Sequence, residues 1–262
     1  MFNINNLAMV TKDFCQFWPF LSHPVYTVGE GKDAMNRKQI SNGQIGWSQA
    51  TADRRTVVLD IETVALDPSQ EKGALNALTG RVVCIGMLID DGEAVTEIML
   101  AGEDEHVLLS GFWNTVRPGD VIVGHNVLDF DIQFLQQRSW ILGIQPSRTI
   151  DTRKYYTADV IDTLQLWANW TGNKRGVTLD ALGSVLGCGR KIGEGAKVAE
   201  WWATRDIESI KKYCREDVRI AYRVFCRLTY QEPRQFAPDE DQVFKTSVVE
   251  ATSDSVAEVR LT

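Results

Sequence analysis

Between residues 56 and 230 the chain alternates between β-branched apolar runs and segments with helical spacing. Residues 56–63 form one such run, and 81–90 and 94–100 form two more. The last two flank Asp90, Asp91 and Gly92, a tight-turn sequence that predicts a hairpin. A helix is expected over about 103–115, a short strand at 121–123 and a second helix over about 129–142. Val160 and Ile161 fit a further strand, and short helices are expected around 164–170 and 179–186. A long helix from about 205 to 230 closes the series, and Pro233 and Pro238 mark its exit. Three strands in a meander followed by alternating helices and strands imply an α/β fold, a mixed sheet flanked by helices.

The rest of the composition bounds this picture. The chain has 262 residues, 44% of them hydrophobic, enough for one large domain with its own core. Cys15, Cys84, Cys188, Cys214 and Cys226 are odd in number, scattered and lack a C-x-x-C pair. That pattern argues against a disulfide scaffold or zinc ribbon and for a reducing cytoplasm. Lys12 is the first charged side chain, and no apolar run near it is long enough for a signal peptide or a membrane span. Residues 1–50 carry 4 basic and 3 acidic groups, 51–231 carry 21 and 25, and 232–262 carry 3 and 7. We therefore expect an N-terminal extension over 1–50, a domain over 51–231 and an acidic tail over 232–262. The net charge of -7 argues against a general nucleic-acid binder.

Three acids sit where a core is expected. Asp60 and Glu62 lie two apart on the most apolar strand and project from one face. Burying two like charges side by side is costly unless a cation neutralises them; the plain alternative is a strand end where both are solvated. In the last helix, at about 100° per residue, Ile210, Cys214, Ala221, Phe225 and Leu228 form an apolar stripe, and Asp217 falls inside it. Lys212, Arg215, Arg219 and Arg223 fall opposite, and Tyr213 borders the stripe. Asp217 needs a partner, and the plain reading is an ion pair to an Arg or Lys. The strand at 121–123 ends in Gly124-His125-Asn126, presenting side chains at a carboxyl edge. Beyond it Asp129 suits a helix N-cap or first turn, whereas Asp131, in helical spacing with Ile132 and Leu135, faces the sheet.

These residues together resemble the DEDD superfamily of 3'-5' exonucleases, whose domain has the ribonuclease H-like fold. Asp60-Ile61-Glu62-Thr63 matches the first motif, Asn126 through Phe130-Asp131 the second, and Tyr213 through Asp217 the third. Each alone is weak; the ordered set in matching context is specific. The position that would carry histidine in the histidine subgroup is Lys212, so the likeness is to the tyrosine subgroup (DEDDy). The chain is most similar to the proofreading exonuclease domain of family B DNA polymerases and to stand-alone bacterial relatives, over about residues 55–230. Ile161-Asp162-Thr163-Leu164 and Thr178-Leu179-Asp180-Ala181-Leu182 resemble two further family segments.

The resemblance implies two Mg2+ or Mn2+ ions that ligate the attacking and leaving oxygens of a phosphodiester. It assigns Asp60 to both metals, Glu62 and Asp217 to one, and Asp131 to the other, directly or through water. Oxygen-only ligands favour these cations over zinc. Tyr213 becomes the orienter of the nucleophilic water. Thr63, His125, Asn126, Phe130, Lys174 and Arg175 are candidate substrate contacts, with Arg190 and Lys191 flanking the same helix. Against this stand a hydrogen-bonded structural His125 and a solvated basic loop. The expected partner is the 3' end of a nucleic acid, DNA ahead of RNA, with no membrane. A noncatalytic or partner-regulated module, docking through residues 1–50 or 232–262, is the reading from a different class.

Overall fold

The computed structural model describes residues 54–70, 72–153, 158–172, 174, 176–193 and 195–236. The 1–50 extension, the tail beyond 236 and Arg175 therefore lie outside the described residues. The described chain forms a five-stranded mixed sheet: β1 (Thr56–Ala65), β2 (Gly80–Asp90), β3 (Val95–Ala101), β4 (Val121–Gly124) and β5 (Val160–Asp162). The spatial order is β3-β2-β1-β4-β5. β1 pairs antiparallel with β2 along its whole length, and β2 antiparallel with β3, the expected hairpin. β4 runs parallel to β1, and β5 parallel to β4.

Among the described residues, six helices flank the sheet: α1 (Glu105–Thr115), α2 (Asp131–Leu142), α3 (Thr163–Trp167), α4 (Leu179–Val185), α5 (Ala196–Ala203) and α6 (Ile207–Leu228). The period of two in β1 divides the core. Val57, Leu59 and Ile61 pack with Ile85, Met87 and Ile122 beneath Leu109 and Phe112 of α1 and Ile132 and Leu135 of α2. Val58 faces the other way, with Leu88, Val121 and Val123, and is covered by Val218, Ala221 and Phe225 of α6. Asp60 and Glu62 share the parity of Val58 and so face the α6 side.

Of the expected apolar stripe of α6, Ile210, Cys214, Ala221 and Phe225 are buried, with Asp217 among them, while Leu228 is half-buried. Asp206 caps this helix by accepting from the Ser209 N–H, and Asp104 caps α1 by accepting from Val107. Three details differ from expectation. α2 begins at Asp131 with Phe130 as a cap that makes no side-chain bond, so Asp129 is not the N-cap. Asp129 is exposed and pairs with Lys174 instead. α5, unassigned by pattern, is eight residues long and starts from Gly195 without a side-chain cap; its burial comes from tertiary contact, through Val198.

Candidate active site

Glycine at one position decides how closely α6 can approach the sheet. Asp60 is paired across the ladder with Gly86. A Cβ on Gly86 would stand 2.8 Å from Cys214 Sγ and 2.8 Å from Val218 Cγ2. The missing side chain is filled by α6, whose Cys214 thiol reaches 3.6 Å from the Asp60 carbonyl oxygen and 3.7 Å from its Oδ2. The same seating carries Asp217, one turn further on, toward β1.

Asp131 arrives from the other edge of β1. The parallel ladder with β4 stops at Val58 opposite Val123, which leaves backbone groups of β1 free beyond it. The Ile61 N–H donates to Asp131 Oδ1 at 3.0 Å, fixing this carboxylate against the strand that carries Asp60 and Glu62. The loop that delivers it is organised by Asp162, which is fully buried. Asp162 accepts from the backbone N–H groups of Asn126 (3.0 Å), Leu128 (3.2 Å), Leu164 (2.9 Å) and Gln165 (3.3 Å). It thereby ties the turn after β4 to the start of α3. Asn126 occupies the left-handed region at φ 62°, which an asparagine tolerates.

The structure thus brings Asp60, Glu62, Asp131 and Asp217 together beside β1, just past the point where its ladder with β4 stops, with Tyr213 beside them. Glu62 is 8% exposed, Asp131 5% and Asp217 1%, while Asp60 keeps a partial opening to solvent. Burial and the neighbouring Asp217 and Asp131 charges push Asp60 well above the usual carboxylate range. Glu62 is raised by burial and then by Asp60. Burial lifts Asp131 to about 7 despite its backbone hydrogen bonds. Asp217 is raised by burial and held back by Lys191.

Lys191 is the cation of the cluster. Its Nζ lies 2.5 Å from Asp217 Oδ2 and 3.2 Å from the Tyr213 hydroxyl. Its backbone N–H donates to Asp180 Oδ1 of α4 at 2.9 Å. Burial would lower the ammonium, but Asp217 and then Asp60 outweigh it and hold it above the ordinary lysine value. Asp217 therefore has the ion-pair partner that its position demanded, yet its Oδ1 is buried with no hydrogen-bond partner among the described residues. Burial, then the Asp217 charge, push Tyr213 up to about 12, so its phenol is a neutral donor at ordinary pH.

The remaining candidates make contacts within the fold. The Thr63 hydroxyl donates to the Ala74 carbonyl at 2.7 Å and holds the 3-10 turn Gly73–Leu75 at the end of β1. His125 Nδ1 meets the Thr163 hydroxyl at 3.0 Å and Nε2 the Val177 carbonyl at 3.2 Å; burial lowers its pKa, so it is an embedded neutral ring. Phe130 packs its ring 5.5 Å from Phe134. Lys174 holds Asp129 at 2.7 Å. Pattern reading singled out Lys191 only as a phosphate contact and Cys214 only as part of an apolar stripe. The signal for Cys214 was its position three before Asp217 on the same face; for Lys191 no local signal exists, because its place is set by the loop between α4 and α5.

Four carboxylates, one of them with an unpaired buried oxygen, suit hard divalent cations held by oxygen. A structural likeness accompanies this geometry. The family B DNA polymerase of the hyperthermophilic archaeon Pyrobaculum calidifontis superposes with a TM-score of 0.50 and 25% sequence identity, over 65% of this chain and 24% of the polymerase. The fold is accordingly the ribonuclease H-like sheet of a polymerase exonuclease domain. An uncharacterized protein of Methanocaldococcus jannaschii is 38% identical over 84 residues, which are 31% of this chain and 40% of that protein. The chain thus spans well under two thirds of either relative. A family model described as "Predicted 3'-5' exonuclease related to the exonuclease domain of PolB" matches residues 75–254. The match takes in Asp131, Tyr213 and Asp217 and begins downstream of Asp60 and Glu62. Since it covers more than half of the sequence, the chain belongs to this family of predicted 3'-5' exonucleases.

Proposed function

We propose that the protein is a metal-dependent 3'-5' exonuclease of the tyrosine subgroup that acts on DNA ends, single-stranded ends foremost, and releases nucleoside 5'-monophosphates. The observation that carries the reading is the convergence of Asp60, Glu62, Asp131 and Asp217 beside β1, with Asp217 Oδ1 buried and, among the described residues, unpaired. Asp60, Glu62 and Asp217 would hold one divalent cation, and Asp60 and Asp131 a second. When bound, Mg2+ or Mn2+ would supply positive charge for the attacking and leaving oxygens of the phosphodiester. The preference for DNA rests on the polymerase neighbour.

The side chains have separable roles. Tyr213, neutral and buried beside Asp217, is suited to orient a water by hydrogen bonding and not to deprotonate it. The Ile61 N–H holds the Asp131 carboxylate in one orientation, which spares the site that ordering cost during reaction. Lys191 neutralises part of a cluster that would otherwise repel an incoming phosphate, and with 27% of its side chain exposed it can reach toward solvent and substrate.

The test is incubation of the purified chain with 5'-labelled DNA and RNA strands, single and double, with Mg2+, Mn2+ or EDTA. Stepwise shortening from the 3' end of DNA, abolished by EDTA and by Asp60→Ala in a folded protein, is expected. Internal cuts would make it an endonuclease, and shortening of RNA alone an exoribonuclease. No metal-dependent product, or an active Asp60→Ala, would refute the assignment.

A further inference from the structure

The donor set between β1 and α6 is not made of oxygen alone. One oxygen each of Asp60 and Glu62 and the sulfur of Cys214 lie within 4.8 Å of one another. Donors bound to one tetrahedral zinc at roughly 2.0–2.3 Å stand about 3.5 Å apart, close to the 3.7 Å between Cys214 Sγ and Asp60 Oδ2. Ligation would draw the three donors from within 4.8 Å of one another to that spacing. The thiol is fully buried and its Sγ is aimed at the carboxylate, because Gly86 opens the space it fills. A second observation points to a missing cation here: Asp217 Oδ1, on the same helix face, is buried without a partner among the described residues, and Asp217 is the strongest charge acting on Asp60.

We propose that Asp60, Glu62 and Cys214 form a binding site for a thiophilic divalent cation, Zn2+ or Cd2+, overlapping the site for hard cations. Three protein ligands from a strand and a helix, two oxygens and one sulfur, leave a fourth position for water, a common arrangement for zinc. Soft sulfur adds affinity for Zn2+ and Cd2+ that it does not add for Mg2+. On binding, the Cys214 S–H bond breaks, the sulfur donates a lone pair to the metal and the proton passes to buffer; no electron is transferred. One consequence rests on the nuclease reading above: because Asp60 and Glu62 are shared, a thiophilic cation would displace the hard one and block hydrolysis. The site itself stands independently of that reading.

The experiment is titration of the full, metal-stripped chain with Cd2+, following the ultraviolet thiolate-to-cadmium charge-transfer absorption, with Zn2+ then added as competitor. The expected result is a band that saturates at one equivalent, is bleached by Zn2+ and survives excess Mg2+ added at low millimolar concentration. Cys214→Ser and, should serine disturb the packing, Cys214→Ala should abolish the band, while Cys188→Ser and Cys226→Ser, in the separate cluster under α6, retain it. Circular dichroism of each variant checks the fold. No band in the wild-type chain, a band unchanged in a folded Cys214 variant, or one lost with Cys188 or Cys226 instead, would overturn the proposal. Since the readout is spectroscopic, a chain inactive on every nucleic acid can still pass it, and an active nuclease can fail it.

Discussion

Asp131→Asn isolates the electrostatic cost of the acid cluster without dismantling it. The substituted amide oxygen can still accept from the Ile61 N–H, which now reaches Asp131 Oδ1 at 3.0 Å, so the change removes charge and little else. Burial raises Asp131 from 3.8 to about 7. A carboxyl raised in the folded state costs nothing below its unfolded pKa, and the penalty of ionising it grows as pH climbs to the folded value. At about 1.4 kcal/mol per pH unit the ceiling above neutrality is about 4 kcal/mol. Neighbouring acids relieve part of it by taking up protons themselves, so we expect about 1–3 kcal/mol. Urea unfolding in EDTA should therefore find the variant and the parent closest near about pH 4 and the variant gaining progressively toward about pH 8. Any fixed packing cost of the amide shifts both ends equally and leaves the slope intact. Mg2+ should raise the parent more than the variant, since it binds only the folded carboxylates. A stability difference that does not change with pH, or that grows in the opposite direction, would refute the reasoning.

Other perturbations probe the supports of the site. Lys191→Met should cost about 1–3 kcal/mol in EDTA by stranding the buried Asp217 charge, and thermal melts with Mg2+ should recover most of the loss; an equal loss with and without metal would show that Lys191 does not stand in for a cation. Asp162→Ala removes the acceptor of four backbone N–H groups and should cost about 2–4 kcal/mol in chemical denaturation, with the nuclease rate falling in step. Gly86→Ala places a Cβ 2.8 Å from Cys214 Sγ and Val218 Cγ2; overpacking of this kind costs about 1–3 kcal/mol and should lower the rate by spreading α6 from β2. Tyr213→Phe should slow hydrolysis by about 10-fold or more with no change in the profile below about pH 9, because the phenol stays protonated up to about 12.

Most of the sheet was legible because β1, β2 and α6 carry long uninterrupted patterns. The two-residue period that put Asp60 and Glu62 on one face, and the helical period that put Asp217 inside an apolar stripe, are local properties that burial then respects. Asp131 was separable from Asp129 on the same ground, its spacing to Ile132 and Leu135. What was not legible depends on contacts between distant segments. α5 has a single buried residue, Val198, and no side-chain cap, so nothing in its sequence announces a helix. Lys191 reached the acids because Asp180, in the preceding helix, pins its backbone; a basic residue in a glycine-bearing loop otherwise reads as solvated.

A chain of net charge -7 gathers four carboxylates beside β1, and burial keeps several of them above their usual range, where they are partly protonated and less repellent without metal. Lys191 removes one further charge. A cation entering the site must displace those protons, so its affinity should rise with pH until the carboxyls are fully ionised. Nucleic-acid affinity should then follow metal occupancy, since the positive charge facing a phosphate would come chiefly from the bound ions. A filter-binding series with a labelled single strand, using Ca2+ to hold the site without rapid turnover, should give affinity that increases with pH over the range in which Asp131 ionises, around 7. Affinity equal in EDTA and Ca2+ would place the substrate on some other surface.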